Sequence, residues 1–242
     1  MRRLLLPAFW VLTLAAQPAA AQGAAPAEVT ADPHERVYDT LIANGDDGPM
    51  IEAVLDWMVA QLAADPNIAL LAKDNPGLLD KLRSATRPII VGYSRRVKGD
   101  YRPRMVALLR SELTAAEASD VADFYASPIG RRLVAGISAS YRPDSVLGTI
   151  DEERRVTSAD VEHDMDSASQ AALRTLSAAE IEQLNREIES RPAMAKLVPV
   201  IPKLTALRAE MEEEPLTAEE EAAIEVALRG VFESLRPVRK GA

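Results

Sequence analysis

Apolar side chains recur along this chain at every third or fourth position, the spacing that lines one face of an α-helix. Val37, Tyr38, Leu41 and Ile42 make one such face, and Asn44-Gly45 closes it. Ile51, Val54, Leu55, Met58 and Leu62 make the next, opened by Pro49 at the first helical position. Asp65-Pro66 and Asn75-Pro76 bracket a short helix holding Ile68, Leu70 and Leu71. Residues 77–98 form a longer pattern through Leu78, Leu82, Ile89, Tyr93 and Val97, and Pro88 inside it predicts a kink or a split. Residues 88–93 (PIIVGY) have the composition of a strand, but a lone strand has nothing to pair with, so helix is the better reading. A further helix over 101–113 turns Met105, Leu108 and Leu109 inward.

The pattern is sharpest over residues 113–141. Thr114 and Glu117 form a capping box, in which each satisfies a backbone N–H that the helix leaves unpaired. Ala118, Val121, Phe124 and Tyr125 then share a face. Ser127-Pro128 restarts the chain as N-cap and first helical residue, and Ile129, Leu133, Ile137 and Tyr141 form the second stripe. Gly130 in that first turn lowers helix stability, and a close approach by a neighbour would account for it. Residues 142–151, with Pro143 and Gly148, read as a linker.

Beyond the linker the pattern partly returns. Residues 176–180 (LSAAE) restate residues 113–117 (LTAAE), Ser190 matches Ser127, and Pro192 matches Pro128 after one inserted residue. Leu197-Val198 then match Leu133-Val134, while Glu187 and Ile188 stand where Phe124 and Tyr125 stood. Thr217 and Glu220 give a third capping box, opening a helix through Ile224, Leu228, Val231, Phe232 and Leu235. One reading is a degenerate duplication of a helical hairpin; the other is a common helix start arising independently. The expected fold is all-α, helical hairpins packed as a bundle through Ala-rich faces, with a domain over 34–150, a degenerate second hairpin unit over 151–236 and a tail over 237–242.

The string LTxxE at 113–117, followed by Phe124-Tyr125-x-Ser127-Pro128-x-Gly130-x-x-Leu133, resembles the signature of the family called domain of unknown function 2059. The likeness runs from about residue 79 to residue 141. It implies an exported, all-helical proteobacterial protein and carries no catalytic residues with it.

Composition narrows the compartment and the partners. Residues 1–21 have the form of a secretory signal peptide: Arg2-Arg3, an apolar run from Leu4 to Ala16 too short to span a bilayer, and Ala19-Ala20-Ala21 before the cut. The alternative is an N-terminal anchor left uncleaved. Residues 22–33 read as a flexible Ala/Pro-rich leader. The chain has no cysteine, which excludes both lipid attachment at the cleavage site and disulfides. The expected product is thus a periplasmic protein with no transmembrane segment in its mature chain. Removing Arg2 and Arg3 takes the net charge from −9 to −11, the wrong sign for nucleic acid or for an anionic bilayer.

Candidate chemistry is sparse. Asp160, His163 and Asp164 share a helical face, with Asp166 nearby, and could be written as metal ligands; an acidic solvated face explains them without a metal. Arg95, Arg96, Lys98, Arg102 and Arg104, interleaved with Tyr93 and Tyr101, form a basic patch that could hold an anionic envelope component or an acidic partner protein. Phe124 and Tyr125 could line a pocket, although an aromatic pair at this spacing is more often core. Two histidines and no cysteine leave little for nucleophilic catalysis, and no cofactor is implied. The leading function is therefore a non-enzymatic binding or envelope-assembly factor. The alternatives are a hydrolase of an envelope polymer working through carboxylates, and a structural or stress-related protein without a ligand. The leader reading makes a direct prediction: the exported chain begins at Gln22, and intact mass and N-terminal sequencing find that terminus.

Overall fold

The computed structural model describes residues 32–43 and 48–235. The expected signal peptide, most of the leader, the Asn44-Gly45 stop and the tail over 237–242 lie outside the described residues. Among the described residues every regular element is helical. The leader ends earlier than expected, because Asp32 caps α1 (Pro33–Tyr38) by accepting from the His34 N–H, and Pro33 takes the first helical position. A π-turn, Asp39–Ala43, continues it. Then come α2 (Gly48–Ala64) and α3 (Pro66–Asp74), the latter capped by Asp65.

The next helix, α4 (Leu78–Glu112), is a single element, so of the kink or split expected at Pro88 the split does not occur, and residues 101–112 are not a separate helix. The reason lies in where its prolines face. Pro88 and Ser84, whose carbonyl loses its partner, are both exposed, as are Pro103 and Gly99. Water can satisfy the freed carbonyls on that side, while Leu82, Val97, Met105 and Leu109 are buried on the other. The stretch 88–93 is helix throughout.

The central pair forms as α5 (Ala115–Ala126) and α6 (Pro128–Ser140), with Thr114 and Glu117 closing the capping box. The expected linker is instead a helix, α7 (Asp144–Asp151). Its N-terminus has no local side-chain cap. The buried carboxylate of Asp164, eighteen or more residues away, accepts from the Ser145 and Val146 N–H groups at 2.9–3.1 Å and does that work. Asp164 lies on α8 (Ser158–Arg174). Next are α9 (Ala178–Glu189), opened by the Ser177–Glu180 box, α10 (Pro192–Leu197), α11 (Ile201–Glu212) and α12 (Ala218–Ser234), opened by the Thr217–Glu220 box.

α5 and α9 open with the same kind of capping box, but the starts of α6 and α10 differ. Ser127 both ends α5 and caps α6, its hydroxyl accepting from the Gly130 N–H at 3.1 Å. Ser190 ends α9 as its C-cap but does not open the next helix; the inserted Arg191 takes the N-cap position of α10 with no side-chain bond.

Contacts group the helices into two units. One takes the described residues up to Pro49 together with Lys98–Glu213; the other takes Met50–Val97 together with the described residues from Glu214 on. Residues on both sides of the expected boundary at 150/151 thus lie in the first unit. In that unit α1 packs on α5, α6 on α8, α7 and α11 on α8, and α10 on α5 and α9. Gly136 lets α6 approach α8 closely: a Cβ there would come 3.0 Å from the Ala172 Cβ. His34 ties the chain start into the unit, its Nε2–H donating to the Leu113 carbonyl at 2.9 Å. Arg110 grips Asp32, and Arg36 reaches Asp123 at 2.5 Å.

In the second unit, Glu52 of α2 receives Arg83 and Arg87 of α4 at 2.7–2.9 Å. The buried side chains here are few: Ile51 and Leu55 from α2, and Leu78, Leu82 and Val97 with Thr86 and Ser94 from α4. Neither α3 nor α12 buries any residue.

Among the described glycines, Gly130 is the one where a side chain would run into backbone. A Cβ there would press into the Phe124 carbonyl and lie 2.8 Å from Tyr125 Cα, which is backbone and cannot swing aside. Gly130→Ala is expected to destabilise the protein by about 1–3 kcal/mol in urea unfolding. Gly92→Ala, in an open position of α4, is expected to be neutral or to stabilise by up to about 1 kcal/mol.

Candidate functional site

The basic patch of the sequence is real as composition, but most of its charge is already engaged. In the first unit, Arg102 stacks 5.0 Å over the Tyr38 ring and bonds to Glu35 at 3.1 Å and to both oxygens of Asp39. The Asp39 carboxylate holds the Arg102 guanidinium above its already high ordinary value. Arg104 stacks 5.2 Å over Tyr101 and pairs with Glu210 at 2.6 Å. Lys98 is buried, and its carbonyl accepts from the Tyr38 hydroxyl at 2.7 Å. In the second unit, Arg96 stacks 5.4 Å over Tyr93 and grips both oxygens of Glu220 at 2.9 Å. Arg95 is exposed and forms no ion pair among the described residues. The carboxylates that meet these cations come from distant parts of the chain, which is why the sequence showed only the cations.

Phe124 and Tyr125 are core. They are 0% and 1% exposed, with ring centroids 4.9 Å apart and planes crossed at 74°. Burial pushes the Tyr125 hydroxyl well above its ordinary value. Neither ring offers a face to a ligand, so the aromatic signature reports packing at the α5–α6 corner.

A polar centre that sequence reasoning missed lies between α6, α7, α8 and α11. Arg208 is 1% exposed, bonds to Glu212 at 2.6 Å and sits 5.7 Å from the Tyr141 ring. The Tyr141 hydroxyl is buried with no hydrogen-bond partner among the described residues, and burial drives it upward. A small pocket of about 230 Å³ beside Asp164 is lined by Ser140, Arg142, Asp144, Ser145, His163 and Ser167. Burial pushes the Asp164 carboxyl up, against the pull of the Ser145 and Val146 N–H groups. A carboxylate holding two backbone amides is a cap, and it is not free to act as a general base. Asp160 is the N3 member of the Thr157 capping box and pairs with Arg154 at 2.8 Å. The four residues first considered as metal ligands thus include two with structural roles, and no group of metal-ligating side chains converges among the described residues. A signal for this centre was present in the sequence: Asp164 and Arg208 each fall on the buried stripe of their helix, between Val161 and Met165 and between Leu204 and Ala209.

Both units expose large apolar side chains, Ile150, Val198 and Ile181 in the first and Leu70, Leu71 and Val226 in the second. Val226 is 65% exposed, Leu70 63% and Leu71 40%. Between α4 and α12 runs a shallow groove of about 600 Å³, walled by Ser84 and Ala85 on one side and Ala227, Gly230, Val231 and Ser234 on the other, with Asp80 and Lys81 also lining it. No described helix is long and apolar enough to cross a membrane.

Residues 100–143, from the last turns of α4 to the end of α6, match the family described as an uncharacterized protein conserved in bacteria, DUF2059. No similar curated protein and no similar solved structure is found.

The link between α4 and α12 is pH-sensitive. Glu220 titrates down at about 2, against an ordinary 4.5, because Arg96 donates to it and the Thr217 N–H does so as well. The carboxylate is the form that caps and pairs, so its contribution is complete above 4.5 and is lost as pH falls toward 2. Melting temperatures of the wild type and of Glu220→Gln, followed by circular dichroism, are expected to differ by a constant amount from roughly pH 7 to pH 5 and to converge near pH 2.

Proposed function

Starting from a central segment that belongs to the DUF2059 family, we propose that this is an exported, periplasmic helical protein of the bacterial envelope that binds a partner and performs no catalysis. The observation that supports this reading is the apolar surface of the second unit. Two amphipathic helices, α3 and α12, bury none of their residues, and Leu70, Leu71 and Val226 face outward. A helix of that pattern ordinarily lies against another element. An exposed apolar groove walled by small residues suits the apolar face of a helix.

The hydrolase alternative calls for free titratable groups converging on a cavity. Asp164, the best-placed carboxylate, is engaged by backbone amides, and Glu212 and Glu220 are held by arginines. The anionic-partner idea is weakened in the same way, since Arg96, Arg102 and Arg104 already have counter-ions.

Photo-crosslinking side chains placed at Leu70 and Val226, with Glu182 of α9 as an exposed control, test the reading in intact cells. The expected result is an adduct of defined mass from positions 70 and 226, absent from 182, whose captured component is an envelope constituent and re-forms the adduct when purified. Equal labelling at all three positions, or none at 70 and 226, overturns it.

A further inference from the structure

The first turn of α1 is fastened to the rest of its unit through the ring of His34. That residue is 8% exposed, and both ring nitrogens point at oxygen: Nε2 lies 2.9 Å from the Leu113 carbonyl and Nδ1 lies 3.0 Å from Asp32 Oδ1. Both oxygens act as acceptors. A carbonyl has no proton to give. Asp32 is held as a carboxylate: Arg110 donates to its Oδ2 at 3.0 Å and the His34 N–H to its Oδ1 at 2.9 Å. Those two bonds, and then that of the His34 ring, keep the Asp32 carboxyl far below its ordinary value. A neutral imidazole carries one N–H and an imidazolium carries two. In the neutral ring, whichever tautomer forms, one nitrogen lone pair faces an oxygen lone pair at hydrogen-bond distance. The cation alone satisfies both sides.

The other charged groups on the elements packed here are matched without the ring. Glu35 and Asp39 take Arg102, and Arg36 takes Asp123 of α5. Glu112 at the end of α4 takes Lys203. On α5, Glu117 closes its capping box and takes Lys196, and Asp120 takes Arg191. Arg110 shares Asp32 with the ring but lies on the opposite carboxylate oxygen.

We propose that His34 is a pH-sensitive latch: protonated, it clamps the first turn of α1 to the turn between α4 and α5, and loss of its proton frees that first turn. The far end of α1 stays held, because the Tyr38 hydroxyl donates to the Lys98 carbonyl and Arg102 grips Asp39. The element therefore opens as a hinge and does not leave. The clamp is complete in acid and weakens as pH rises through the titration of the ring. The Glu220–Arg96 link has the opposite sense, since it is lost in acid.

The test follows the purified ¹⁵N-labelled protein by NMR from roughly pH 5 to pH 9, the span across which imidazoles change charge. The chain has two histidines, and His163, exposed on α8, is the control. In acid, with α1 docked, the His34 ring is expected to show two protonated nitrogens. As it loses one, the protection factors of the Arg36 and Val37 amides, corrected for intrinsic exchange, are expected to fall by about tenfold, while those of α5 stay constant. His34→Gln is expected to abolish that step, and His163→Gln to leave it in place. A ring that stays neutral in acid while α1 is docked overturns the latch. So does protection that ignores the titration, that rises as the proton leaves, or that still steps in His34→Gln. If His34→Gln fails to fold, the wild-type titration decides alone.

Discussion

Only a hydrogen atom fits between the end of α5 and the first turn of α6, and the packing of the first unit follows from that. With Ser127 alone between the two helices, the first turn of α6 lies directly on the last-turn backbone of α5. Gly130 permits the contact, and Ser127 satisfies an amide on each side of it: its own N–H bonds to the Phe124 carbonyl at 3.0 Å, and its hydroxyl takes the Gly130 N–H. The tight corner turns Phe124 and Tyr125 inward as a crossed pair, each ring contributing about 1.5–3 kcal/mol through burial. The two helices leave the corner to meet different neighbours, α5 facing α1 and α10, and α6 facing α8. The corner lies inside the stretch, residues 100–143, that matches the DUF2059 family model.

The arginines follow a second rule. Arg96, Arg102, Arg104 and Arg208 each lie over a tyrosine ring and each meet a carboxylate. At the surface such pairs contribute little stability, about 0–1 kcal/mol. Their effect is to fix which segments meet, since the carboxylates come from α1, α11 and the start of α12. Arg208 is different because it is buried, where losing Glu212 would leave a charge without its counter-ion.

Much of the architecture was legible because a helix repeats itself in sequence. The stripes and the boxes at Thr114, Ser177 and Thr217 are local, and they formed as read. What escaped was set at a distance. The helix α7 depends on an aspartate from α8, so its own residues look like a linker. Pro88 broke nothing because the carbonyl it orphaned faces water, and facing is a property of the fold. The counter-ions of the basic stretch lie 63 to 124 positions away. The stripe of α12 was visible, but its shortage of neighbours was not, because amphipathicity says which side wants cover and not whether the chain supplies it.

The way α1 is fastened has a consequence for the sequence of events as the chain emerges. Six residues are too few to hold a helix unaided, and the groups that secure this one come late: the Leu113 carbonyl lies 79 positions after His34, and Asp123 lies 87 positions after Arg36. A polypeptide released from its amino end therefore presents its first element long before anything exists to receive it. Docking of that element needs Leu113 and Asp123, so these contacts cannot form until the chain has been made at least that far.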